Sequence, residues 1–229
     1  MDDENLKVIV FDMGGTLMQY IGMPLSWVEY YRQGFEEIIG RYNMIISGEM
    51  IEESIEILRS FNPRISKREV EYPADFIFSE ALRNWNINIT IEKCIEVFWS
   101  GLKLNAQVYS DTVDVLRRLK DKGYIIAVLT DLPSAMTDDI FLKDVSLLKK
   151  YIDYYVSSSV AGFRKPNPAG LKMIADRYSI SVDELIFVGD EDKDEKTALN
   201  AGCPFVRINR ANKPAEGISS LYELPGISE

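Results

Sequence analysis

VIVFDMGGTL, residues 8–17, is the stretch from which the rest of the chain is read. The run Leu6 to Phe11 is apolar almost throughout, with no polar residue on alternate positions. Such a run suits a central strand of a parallel sheet covered on both faces. It ends on Asp12, and glycines at 14 and 15 let the backbone turn tightly and bring N–H groups close to an anionic ligand. Taken alone, a strand ending in D-x-G-G-T reads equally as an ordinary turn.

The same grammar recurs outward from this stretch. Tyr124 to Leu129 is followed by Thr130 and Asp131, and Leu185 to Val188 by Gly189 and Asp190. Tyr154 to Val156 leads into three serines, and Phe205 to Ile208 is a last short candidate. Helical patterns separate these runs. Asp111 to Lys120 carries an Asp at the N-cap, Val115, Leu116 and Leu119 on one side, and Gly123 just past its end. Asn167 to Tyr178 is entered through prolines. Strands alternating with helices predict an α/β fold built on a doubly wound, Rossmann-like parallel sheet. Ligands in such sheets bind outside the carboxyl ends of the strands, where Asp12, Thr130 and Asp190 are expected to converge.

Residues 18–104 break the pattern. About four helical stretches, near 25–43, 49–60, 70–85 and 90–103, follow one another with Gly, Pro, Asn or Ser between them. They predict a small α-helical domain inserted into the sheet domain, which would comprise residues 1–17 and 105–229. Trp27, Tyr31, Phe35, Trp85, Phe98 and Trp99 lie at spacings that suit the insert's own core.

Composition narrows the chemistry. A net charge of −10 leaves no positive excess for a nucleic-acid backbone, so no nucleic-acid partner is expected. No apolar run approaches a bilayer's thickness and the first residues are acidic, so a cytoplasmic location without membrane attachment is expected. Cys94 and Cys203 lack metal-type spacing and read as small buried hydrophobes. The chain has no histidine, which excludes Ser-His-Asp and Cys-His catalysis and histidine-bound zinc. Carboxylates, lysine, hydroxyls, thiols and a hard metal ion remain.

Three further segments offer such groups. In VGDEDKDEKTALNAG, Asp190 and Asp194 follow a strand four residues apart. Clustered carboxylates suit magnesium, although acidic residues also favour any helix N-terminus. Lys165 lies in SSSVAGFRKPNPAG, a loop punctuated by Gly and Pro, and VLTD carries Thr130 and Asp131.

Together and in this order the segments resemble the haloacid dehalogenase-like (HAD) superfamily. FDMGGTL is similar to its first motif, LTD to its second, the Lys165 segment to its third, and GDEDKD to a GDxxxD form of the fourth. The similarity extends through YSDTVDVLRRLKDKGYIIAVLTD and GFRKPNPAGLKMIADRYSISVDELIFVGD, and the insert has the position, length and helical character of a cap. The resemblance implies a magnesium-dependent phosphohydrolase acting on a small phosphorylated substrate. Asp12 would be the nucleophile, assisted by Thr130 and Lys165. Met13, Gly14, Thr130, Asp131 and Lys165 would bind phosphate, and Asp12, Gly14, Asp190 and Asp194 would hold magnesium. Thr16 and Gly15 would shape the turn.

One departure stands out. Most phosphatases of the superfamily carry a second aspartate two residues after the nucleophile as general acid and base, and here that residue is Gly14. Several readings follow. A phosphatase recruits its acid elsewhere, from the cap or from Asp131, Glu191 or Asp192, or takes substrates whose leaving group needs no proton. A dehalogenase also lacks the aspartate, but its attack on carbon needs no metal and leaves Asp190 and Asp194 unexplained. A phosphonate hydrolase needs a cap lysine, for which only Lys67, Lys93 and Lys103 are available. The last reading is a binding or regulatory protein that keeps the metal site without turnover. The sequence leaves the substrate and the oligomeric state open.

Overall fold

The computed structural model of the chain describes residues 7–210 and 217–225; Leu6, expected to open the first strand, lies outside them, as do residues 1–5 and 211–216 and the last four residues of the predicted sheet domain. The strands are β1 (Val8–Phe11), β2 (Met18–Tyr20), β3 (Ala106–Val108), β4 (Ile125–Thr130), β5 (Tyr154–Ser157), β6 (Leu185–Gly189) and β7 (Phe205–Arg207). Five form one sheet in the order β5-β4-β1-β6-β7, every neighbouring pair parallel. β2 and β3, which the sequence pattern did not announce, pair separately as a two-stranded ribbon.

The helices are α1 (Tyr31–Tyr42), α2 (Gly48–Ser60), α3 (Ala74–Ala81), α4 (Ile91–Gly101), α5 (Thr112–Asp121), α6 (Asp138–Asp144), α7 (Ser158–Ala161), α8 (Ala169–Tyr178) and α9 (Asp192–Ala201). Contacts divide the chain into two units. One holds the residues up to Gln19, Ala106–Asp131 and those from Val145 on; the other holds Tyr20–Asn105 and Leu132–Asp144.

The first unit is an α/β, Rossmann-like layer structure. Val8 and Val10 pack with Ala127, Leu129, Val156 and Phe187 against Leu171 and Ile174 of α8. Alternation turns Ile9 and Phe11 to the opposite face, and they are buried too. Burial on both faces is why the central strands read as unbroken apolar runs. α5 buries Val115, Leu116 and Leu119, and its end is closed by Gly123 at φ +81°. Asp111 precedes α5 but does not cap it. Its backbone is already helical, whereas a capping residue needs an extended conformation. The carboxylate instead accepts from Arg210 Nη1 at 2.7 and 2.9 Å, Ser220 Oγ at 2.7 Å and the Leu221 N–H at 2.8 Å.

The second unit is helical. Each predicted stretch corresponds to one α-helix; α2 fills its window and begins one residue earlier, whereas the other three are shorter than predicted, and residues 70–85 yield only α3, which starts directly after Pro73. Phe35, Phe78 and Phe98 meet ring to ring at centroid distances of 5.1–6.4 Å, and Tyr31, Trp85 and Trp99 are buried beside the same helices. Trp27 is only half-buried, edge-on to Tyr20 and Trp99. The segment Leu132–Asp144 adds to this unit, with the Trp99 indole N–H donating to the Ala135 carbonyl at 2.9 Å. Among the described residues, no helix is long and apolar enough to cross a membrane.

Candidate active site

Because β1 lies between β4 and β6 and runs parallel to both, the residues that follow these three strands are neighbours at the carboxyl end of the sheet. Asp12 follows β1, and its N–H donates to the Val188 carbonyl of β6 at 2.9 Å. Thr130 ends β4 and is buried, and Asp190 follows β6. Lys165 comes from the loop between α7 and α8, and Asp194 from the first turn of α9.

These groups meet. The Lys165 ammonium lies 2.7 Å from Asp12 Oδ1 and 2.5 Å from Asp194 Oδ1, and all three side chains are less than a tenth exposed. The second oxygen of Asp194 accepts from the Glu191 N–H at 2.9 Å. Thr16 Oγ1 donates to Asp190 Oδ1 at 3.2 Å. One carboxylate oxygen from each of Asp12, Asp190 and Asp194 lies within 4.8 Å of the other two.

Three carboxylates thus crowd about one ammonium, which pairs directly with Asp12 and Asp194, and the proton affinities of Asp12 and Asp190 register the imbalance. Burial pushes Asp12 up to about 6, with Lys165 opposing the shift and Asp194 adding to it. Burial, followed by Asp12 and Asp194, pushes Asp190 up to about 7. Burial works against the charge on Lys165, but Asp12, Asp194 and Asp131 more than offset it and raise its proton affinity. An all-oxygen donor set carrying surplus negative charge fits a hard divalent cation such as magnesium.

The turn after Asp12 complements this arrangement. The Met13 carbonyl accepts from the N–H groups of Leu17 and Met18, and more weakly from Thr16, while the Met13 and Gly14 N–H groups take no part in the turn's own bonds. Gly15 is required: its φ is +79°, and a Cβ there would sit 2.2 Å from Asp190 Oδ2. Gly14 is not, since its φ is not positive and a Cβ would meet nothing within 4 Å.

Asp131 departs from its expected place among the phosphate ligands. Its side chain is 5% exposed and turned inward, with Oδ2 3.2 Å from Lys193 Nζ and Oδ1 accepting the Lys165 N–H at 3.0 Å. Burial opposes its charge, but Lys193, Arg164 and Lys165 outweigh that and hold it down to about 2. An ionised carboxylate with both oxygens engaged adds repulsion beside phosphate and has no proton to donate.

Other participants escaped the sequence reading. Lys193 is visible in GDEDKD but is masked by the acids around it. Arg210 gave no signal at all; it donates from Nε and Nη2 to the Thr16 carbonyl and lies 4.2 Å over the Tyr109 ring, linking Asp111 to the loop that holds Asp190.

Known proteins share this framework. A phosphoglycolate phosphatase of Vibrio parahaemolyticus is 23% identical over 234 residues, covering 96% of this chain and 91% of that protein. Among solved structures, a HAD phosphatase from Thermococcus onnurineus aligns with a TM-score of 0.61 at 22% identity, over 97% of this chain and 98% of its own. A dehalogenase aligns with a TM-score of 0.57 at 21% identity, over 96% of this chain and 96% of its own. The family described as haloacid dehalogenase-like hydrolase matches residues 6–202, and the chain therefore belongs to the haloacid dehalogenase-like hydrolases.

Proposed function

We propose that the chain is a phosphohydrolase that cleaves a small phosphorylated metabolite through an aspartyl-phosphate on Asp12. The observation that carries this reading is the contact of Asp12 with Lys165 at 2.7 Å inside a group of three carboxylates. Asp12 attacks phosphorus through one carboxylate oxygen, and the bond to the leaving oxygen breaks. Water then attacks the aspartyl-phosphate and returns the carboxylate, splitting one difficult hydrolysis into two easier steps. Lys165 orients Asp12 and, with Thr130 and the Met13 and Gly14 N–H groups, holds the phosphoryl oxygens as charge develops on them. Asp12, Asp190 and Asp194, with the Gly14 carbonyl, would hold magnesium, which when bound offsets the negative charge of the approaching phosphate.

The grouping of Asp190 and Asp194 with Asp12 favours this reading over a dehalogenase, whose attack on carbon needs no metal ion for such a carboxylate set to hold. Lys67, Lys93 and Lys103 are all exposed, which gives a phosphonate hydrolase no desolvated lysine for a Schiff base. Of the alternative acids, Asp131 is engaged as a carboxylate, and Asp192 is 83% exposed and paired with Arg207. Without an acid at residue 14, the reading favours substrates whose leaving group departs as an anion. The name of the Vibrio relative supports a small phosphorylated acid as one member of the panel to test.

The test is hydrolysis of an aryl phosphate and a set of alkyl phosphates, with and without magnesium, by the protein and by Asp12→Asn. Magnesium-dependent turnover is expected, faster on the aryl ester, and lost by about 10⁴-fold or more in the variant. Undiminished turnover in Asp12→Asn would overturn the assignment. No turnover by either protein despite magnesium binding would favour the binding-protein reading.

A further inference from the structure

We infer that Asp131 and Lys193 form a positioning pair, in which Asp131 fixes the main chain at Lys165 and Lys193 cancels the charge that this anchor brings beside the phosphate site. The inference rests on the phosphohydrolase reading and concerns how its lysine is aimed.

Lys165 must reach Asp12 from a loop, and a long side chain on an unrestrained loop samples many positions. Its own ammonium contacts orient the far end only. The near end is held by Asp131 Oδ1, which accepts the Lys165 N–H at 3.0 Å. This acceptor comes from the residue directly after β4, so the loop is tied to the same strand end that presents Thr130.

A carboxylate in that position carries a penalty, because it adds a fourth negative charge to a neighbourhood already short of positive charge. Lys193 answers it. Its ammonium lies 3.2 Å from Asp131 Oδ2, with Glu191 Oε2 farther away at 3.7 Å, and the lysine side chain is 27% exposed. Lys193 belongs to α9, one residue before Asp194. A single side chain therefore joins the end of β4, the Lys165 loop and the helix that carries Asp194. The two roles are separable: the hydrogen bond needs an acceptor oxygen at residue 131 but no charge, whereas the pairing of Lys193 with Asp131 needs that charge.

This separation gives the test. Hydrogen exchange at the Lys165 amide reads the anchor without any turnover. Asp131→Ala is expected to expose that amide, and Asp131→Asn, which keeps an acceptor oxygen, to protect it again. In kinetics on an aryl phosphate, Asp131→Ala is expected to lower kcat by about 100-fold, the scale of a small misplacement of a catalytic group. Asp131→Asn should recover most of that loss. Lys193→Met is expected to raise KM about tenfold by leaving an anion uncancelled near the phosphate, and the double variant Asp131→Asn with Lys193→Met to bring KM back.

Equal exchange of the Lys165 amide in all variants, or effects of the two substitutions that simply add in KM, would overturn the inference. Should Asp131→Ala fail to fold, Asp131→Asn and the Lys193 cycle decide the matter alone. If the wild-type protein hydrolyses nothing, the phosphohydrolase reading falls, whereas the exchange measurement still accepts or rejects the anchor.

Discussion

Two buried ionic clusters in the sheet unit are built on opposite principles. Around Asp111, one carboxylate meets an arginine at two contacts, a serine hydroxyl and a main-chain N–H. Burial works against its charge, but the hydrogen bonds from Arg210, Ser220 and Leu221 win and hold the carboxyl below its usual range. Around Asp12, three carboxylates crowd about one ammonium that pairs directly with two of them, and Asp12 and Asp190 are pushed upward. The first cluster is satisfied by the chain itself and ties Asp111 to the residues near its C-terminal end. The second is left in deficit, and a buried deficit of positive charge persists in a fold where something other than stability retains it.

Breaking the satisfied cluster is expected to have the largest effect on stability. Arg210→Met leaves Asp111 buried without its cation and should cost about 3 kcal/mol in urea unfolding; a loss below about 0.5 kcal/mol, typical of a surface change, would deny the cluster its structural role. Gly14→Asp instead adds a carboxylate at the edge of the deficient cluster. Because a side chain there meets nothing within 4 Å, the protein should fold normally and hydrolyse alkyl phosphates on the order of 100-fold faster, the contribution of a general acid. Unchanged alkyl rates in a folded variant would show that the leaving group is already protonated by another residue.

Asp190→Asn sharpens the contrast from the other side. It removes one of the crowded charges, so the metal-free protein should become more stable by on the order of 1 kcal/mol, while the rise in Tm that magnesium gives the wild type should shrink or vanish. A variant that is destabilised and still responds fully to magnesium would contradict the assignment of Asp190 to the metal. The smallest effect is in acid. The carboxyl of Asp111 is lowered on folding, so its contribution is complete above its unfolded pKa of about 4 and is lost as pH falls through the lower folded value. The stability gap between wild type and Arg210→Met should therefore be flat from neutral pH to about 5 and close below about 4. A gap that closes well above that range would assign the coupling to another group.

The sequence made much of the sheet unit legible because its constraints are local. Val8 to Phe11 are buried at every position, and Leu185 to Val188 at every position except the partly buried Ile186, so these positions favour apolar residues and the runs announced themselves. Asp12, Lys165, Asp190 and Asp194 stood out because each sits beside glycine, proline or further acids in a recognisable order. What stayed hidden depends on partners far apart in sequence. Asp111 looked like a helix cap, and only the fold reveals Arg210, 99 residues away, on its carboxylate. Asp131 looked like a ligand because it follows Thr130, and nothing local shows that it faces Lys193. The short strands β2 and β3 are three residues each, too brief for a periodic signal.

The segment Leu132–Asp144 bears on whether the helical unit can be treated as an exchangeable module. A simple excision would join Gln19 to Ala106, the two points where the inserted stretch begins and ends. That cut would leave behind a part of the helical unit carrying Leu132, Ala135, Met136 and Phe141, all buried in the intact chain. The remnant would present an apolar surface directly after Asp131, and the Ala135 carbonyl would lose the Trp99 indole. Grafting another helical unit onto this sheet, or moving this one elsewhere, therefore requires exchanging two separate pieces of chain together.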